Sequence, residues 1–214
     1  MKKLLTLVCV FALVSSSLAQ FIKNFGFKGG GTASTQKWEY AHSIPVLHKP
    51  DTKIGFDVGV FAEFLDLPFI SLIGEVNYVE KGSQMILLST DVSSSDYGED
   101  TLWRAGFNYL NISLLTKVRL DGIIFTPYLI AGPKVDLEVS KDGEFITPGS
   151  IFNNFKKTRV GFKAGIGTEV KLFMINFLAE VLYDMDFGYL FERESFLKIT
   201  SSSVDFRTGV SIGL

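Results

Sequence analysis

From Ile54 to Phe64 every second residue is apolar (Ile54, Phe56, Val58, Val60, Ala62, Phe64), with Asp57 and Glu63 set between them. Side chains alternate across a strand at period two, so this stretch predicts one apolar and one polar face. The rhythm recurs often enough to predict eight strands, over 24–34, 52–64, 69–87, 106–120, 125–139, 158–172, 175–188 and 201–214. Each has the roughly 9 to 11 residues that a tilted membrane strand needs, where soluble strands average about 5 or 6. Apolar side chains would meet lipid and polar ones would fill the bore. The expected fold is all-β: an eight-stranded antiparallel up-and-down transmembrane β-barrel of an outer membrane.

The N-terminus agrees with export. Lys2 and Lys3, the apolar run from Leu4 to Val14 and Ser17-Leu18-Ala19 read as a cleavable signal peptide over 1–19, leaving a barrel domain over 20–214. The only cysteine, Cys9, lies in that signal, so the expected mature chain has no disulfide, thiolate nucleophile or cysteine-ligated metal. Without Lys2 and Lys3 it carries 19 basic against 23 acidic residues and no basic patch, which speaks against a nucleic-acid partner. Mean hydropathy is +0.27, high for a soluble protein, and twenty Phe with twenty Gly suit a lipid-facing barrel with close strand packing.

Connection lengths alternate. Tight turns are expected near Asp66-Leu67-Pro68, Asp121-Gly122 and Phe173-Met174, and longer polar links over 35–51, 88–105, 140–157 and 189–200. That is the organisation of outer-membrane barrels, whose long loops face the exterior. The faces opposite the apolar ones predict an inner network of balanced charge: Glu75, Lys117, Arg119, Lys163, Glu169, Glu180 and Arg207. Eight strands leave a bore only just wide enough for side chains, so it should be filled. Glu75, Glu169 and Glu180 are each expected to pair with Lys117, Arg119, Lys163 or Arg207, because a charge in a narrow bore must be paired or hydrated.

Several segments resemble the PorT-type, porin-family group of outer-membrane β-barrel proteins of Gram-negative bacteria. Phe25-Gly26-Phe27-Lys28-Gly29-Gly30 resembles the family's opening aromatic-Gly-x-Lys-Gly-Gly, and Leu72-Ile73-Gly74-Glu75-Val76-Asn77-Tyr78 with Glu80-Lys81-Gly82 its third strand. Tyr109 to Leu115 followed by Lys117 resembles the fourth, Thr126-Pro127-Tyr128-Leu129-Ile130-Ala131-Gly132-Pro133 the fifth, and Val160-Gly161-Phe162 with Gly165-Ile166-Gly167 the sixth. Ser113 replaces the family's usual Pro, Arg159 or Val160 its Asp before the sixth-strand Gly, and Leu182 its Arg before the seventh-strand Tyr. The resemblance implies fold and location, and very little about a task. Gly209, Val210, Ile212 and Leu214 resemble the terminal strand read by the barrel assembly machinery, with Leu214 where a Phe is usual.

Catalysis finds little support. His42 and His48 with Ser43 and Asp51 fit no catalytic or metal-ligand spacing, and Asp91, Asp96, Glu99 and Asp100 read as solvated loop acids. Gly29-Gly30-Gly31 lacks the Lys-Ser/Thr and helix of a phosphate loop. The expectation is a non-enzymatic barrel without cofactor or metal. Its partners would be outer-membrane lipid, the assembly machinery during insertion and an unidentified surface or secretion partner. A small porin, a component of a protein-secretion system and a soluble lipocalin-like barrel are the competing readings. Interior chemistry separates the last, since a lipocalin is apolar inside.

Overall fold

The computed structural model describes residues 22–40, 46–48, 51–65, 67–87, 101–120, 122, 125–142, 155–193 and 197–213. Eight long strands follow one another in the chain: β1 (Ile22–Tyr40), β3 (Asp51–Phe64), β4 (Ile70–Leu87), β5 (Thr101–Arg119), β6 (Phe125–Asp142), β7 (Thr158–Leu172), β8 (Ile175–Asp186) and β10 (Leu197–Gly213). Two three-residue strands, β2 (Val46–His48) and β9 (Phe191–Arg193), pair with the outer ends of β1 and β10. Each long strand is antiparallel to the next, and β1 pairs β10 from Asn24↔Gly213 to Tyr40↔Leu197. The sheet is therefore a closed eight-stranded barrel in which every long strand has a partner on both sides.

The faces follow the period-two reading in every long strand. Phe27, Ile54, Val58, Ile112, Leu129, Ile166, Phe177 and Phe206 point outward, while Lys28, Asp57, Glu75, Lys117, Lys134, Lys163, Glu180 and Arg207 are buried. More large apolar side chains are exposed than buried, the reverse of a water-soluble domain. That distribution overturns the lipocalin-like alternative. Covering the shell with hydrocarbon removes the cost of wetting it, and barrel closure satisfies the strands' backbone groups internally.

The strands run further than their hydrophobic pattern predicts. β1 continues to Tyr40 where 34 was expected, β5 begins at Thr101 instead of 106, β6 reaches Asp142 instead of 139, and β10 begins at Leu197 instead of 201. Links expected as loops over 35–51 and 189–200 also contain β2 and β9. At one end of the barrel the outer face loses its greasy side chains but keeps its ladder, as in Thr35↔Ser202 and Lys37↔Thr200. The 19 residues of β5, at about 3.3 Å each and tilted about 40°, rise about 48 Å, roughly twice the ~25 Å of a bilayer's apolar band. The wall thus projects beyond the membrane on the side of the long links along its longest strands, whereas β8, with 12 residues, spans little more than the band.

Both described chain ends lie on the opposite rim, with the tight turns, where the Gly213 amide donates to the Met174 carbonyl at 3.1 Å. The expected signal at 1–19 and Leu214 lie outside the described residues.

Candidate functional site in the barrel bore

The inward side chains divide into layers, because each strand contributes one inner residue per two positions. Nearest the short-turn rim, Lys117 Nζ lies 2.5 Å from Glu169 Oε2 and 3.5 Å from Glu63 Oε2. Glu63 also accepts from Ser71 and Asn24 and lies 3.9 Å from Arg119.

One inner position deeper, the side chains turn apolar. Phe61 follows Glu63, Ile73 follows Ser71, Leu115 follows Lys117 and Leu178 follows Asn176; with Ile130, Leu182 and the ring of Tyr128 they form one packed cluster across the bore. This plug was not expected. Its signal was present in the sequence, as an apolar residue on the polar face of several strands.

Above the plug, Arg207 and Lys28 share the acids of three strands. Arg207 Nη1 lies 3.0 Å from Glu75 Oε2, and Nη2 lies 2.7 Å from Glu180 Oε2. Lys28 Nζ reaches Glu75 at 2.6 Å and Glu180 at 2.8 Å, and Tyr128 Oη donates to Glu180 at 2.8 Å. Asp57 lies 3.6 Å from Arg207 without a hydrogen bond to it. Lys28 also stands over the Phe61 ring at 4.4 Å, joining this layer to the plug below.

A third layer gathers Asp136, Asp184 and Asp186 around Lys134, with Lys134 Nζ 2.7 Å from Asp136 and 2.6 Å from Asp186 and also paired to Asp184. Lys81 bridges Asp184 at 2.8 Å and Asp136 at 3.1 Å, and Arg159 pairs with Asp186. The three carboxylates lie close enough to hold a metal ion, but Lys81, Lys134 and Arg159 already balance their charge one for one.

The bore ends in a second apolar cluster, Ala105, Phe107, Tyr109, Phe155, Leu190 and Ile199, with Trp38 and Phe191 packed against it. Phe155 stacks on Phe107 at 5.2 Å, and the Arg159 guanidinium covers the Tyr109 ring at 3.9 Å. This core lies inside the projecting wall and gives that end a packed interior. On its outer surface Lys37 bridges Glu39 at 2.7 Å; the ammonium's hydrogen bond and charge hold the exposed Glu39 carboxyl below its usual range.

Among the inward residues singled out from sequence, Glu75 and Glu180 meet in one layer with Arg207, and Lys117, Glu169 and Arg119 meet in another. The partner expected for Glu75 and Glu180 was incomplete, because Lys28 on β1 shares them with Arg207. Lys163 is fully buried, and among the described residues its ammonium has no hydrogen-bond partner. Gly209 faces inward on β10, while Val210 and Ile212 point out and pair with Phe27 and Phe25 across the closing ladder. His48 stands opposite Trp38 in the β1–β2 ladder and Asp51 opens β3; His42, Ser43, Asp91, Asp96, Glu99 and Asp100 lie outside the described residues.

No protein-family model and no curated protein matches the chain. Among solved structures it is similar to Neisserial surface protein A, at 14% identity over 89% of this chain and 97% of that one, with a TM-score of 0.48. It is also similar to Ail, the attachment invasion locus protein of Yersinia pestis (12%, 89% and 99%, 0.44) and to the outer membrane protease OmpT of Escherichia coli (7%, 90% and 97%, 0.43). These are distant likenesses, and no role is taken from them. A closed antiparallel wall with hydrocarbon-seeking side chains outside and ion pairs inside is stable only across a lipid bilayer. The chain is an integral outer-membrane β-barrel protein.

Proposed function

We propose that this is a non-enzymatic barrel whose bore is sealed and whose work is done at the projecting end, as a surface-binding or structural element of a Gram-negative envelope. The carrying observation is the filling of the bore: a charged layer, an apolar plug, two further charged layers and an aromatic cap succeed one another from rim to rim. The inner carboxylates of the first and third layers and Glu75 and Glu180 of the second are engaged by Lys or Arg, so they do not stand as a free acid–base pair. A packed core beneath the projecting wall supports a rigid platform for contacts, since recognition is stronger on pre-organised surfaces. The opening Phe25-Gly26-Phe27-Lys28-Gly29-Gly30 and the fifth-strand motif favour a PorT-type assignment within the barrel class.

Two measurements test this reading. With Cys9 removed along with the expected signal, Lys37→Cys places a unique thiol on the outer wall of β1. A membrane-impermeant maleimide should label it on intact cells; labelling only after lysis would reverse the orientation. The purified barrel in planar bilayers should pass no steady current, whereas reproducible conductance would favour the porin reading. Stable co-purification with export components from intact envelopes would favour the secretion reading.

A further inference from the structure

The short-turn rim exposes a run of large apolar side chains, although two of its turns also carry an acid, Asp66 and Asp121. Leu65, Leu67 and Phe69 in the β3–β4 turn, Leu120 and Phe125 beside the β5–β6 turn, and Phe173-Met174 in the β7–β8 turn are all exposed. Phe173 is 105% exposed and Met174 70%. Turn tips that face water ordinarily carry Gly, Asn, Asp or Ser, which suit both the solvent and the backbone.

The backbone sharpens the anomaly. Leu65 and Phe173 occupy left-handed conformations, at φ +59° and +55°. Bulky side chains are rare there, and Gly or Asn would hold either turn with less strain. Phe173 leaves its whole ring outside the protein, so no packing within the molecule offsets that strain. Something outside the molecule must reward an aromatic ring at this position. The apolar surface is also continuous with the lipid-facing belt, through Ile70, Ile175, Phe177 and Ile212 immediately above it. The opposite end is more mixed: its outward positions on β1 and β10 include Thr35, Lys37, Glu39 and Thr200, with Val139 and Phe187 as exposed apolar residues.

We propose that the short-turn rim is a lipid-anchoring surface, with the turn tips themselves embedded in the acyl-chain boundary of the inner leaflet. This rests on the membrane-barrel reading and deepens it, because it sets the depth of the molecule. Phospholipid occupies the rim, so that side presents no aqueous docking face, and contacts with other proteins fall to the projecting end.

The test uses tryptophan as a depth reporter in a Trp38→Phe, Trp103→Phe background, with the whole barrel reconstituted in phosphatidylcholine vesicles. Three proteins are compared: Phe173→Trp, Leu67→Trp as a rim reporter free of the left-handed backbone, and Val58→Trp in the middle of the belt. The rim reporters should show blue-shifted emission, quenched by brominated acyl chains and little affected by acrylamide. If the belt reporter is quenched by brominated lipid while both rim reporters are red-shifted and quenched only by acrylamide, the rim proposal is overturned and the barrel reading stands. Escape of all three from brominated lipid would overturn both.

Discussion

Arg207 is the cation on which the middle layer converges, with three acids around it as Lys134 has in the third layer. Its guanidinium donates two hydrogen bonds to Glu75 and one to Glu180 and stands beside Asp57, in a buried position. Taking one partner from a buried ion cluster leaves uncompensated charge, a loss of about 3–5 kcal/mol. Arg207→Met should therefore lower the urea midpoint of folding, followed by heat-modifiable gel migration, and adding Glu75→Gln should recover part of the loss. A second sensitive point is Gly167, over which the Tyr128 ring lies: a Cβ there would fall 2.4 Å from Tyr128 Cζ. Gly167→Val should displace the ring and weaken its bond to Glu180, costing about 1–3 kcal/mol in the same assay. The position of Glu75 and Arg207 on the inner face was legible, because each alternates with apolar neighbours. Their being partners was not, since β4 and β10 are separated by more than half the chain and nothing local relates their levels.

Each strand carries two independent messages. The first is which residues face lipid, and Val58 and Ile112 state it plainly by being apolar, exposed and central. Val58→Arg or Ile112→Arg should destabilise the barrel by roughly 2–4 kcal/mol and reduce its yield in the outer membrane. An unchanged gel shift would mean that these faces are misassigned. The second message is where the strand stops, which hydrophobicity conveys poorly. β1 and β5 keep pairing five or six residues beyond their greasy pattern, because ladder hydrogen bonds need no apolar side chain. What holds the extension is the aromatic core inside it. Phe155→Ala should expose the projecting end to limited proteolysis while leaving membrane insertion unchanged, since its ring packs on Phe107 and Phe191 in the cluster at that end.

For the molecule as a whole, the neutralisation of the interior depends on topology. Glu75, Asp57 and Glu180 sit on β4, β3 and β8, whereas Lys28 and Arg207, the cations that contact them, sit on the first and last strands of the wall. A sheet that has not yet joined its two margins would present those acids with only part of their compensation. When β1 zips to β10, Gly30 and Arg207 come into register and both cations swing over the same carboxylates. Union of the margins and discharge of the middle layer are thus one event, an electrostatic latch across the seam, which makes a half-finished cylinder costly and a finished one hard to pry apart.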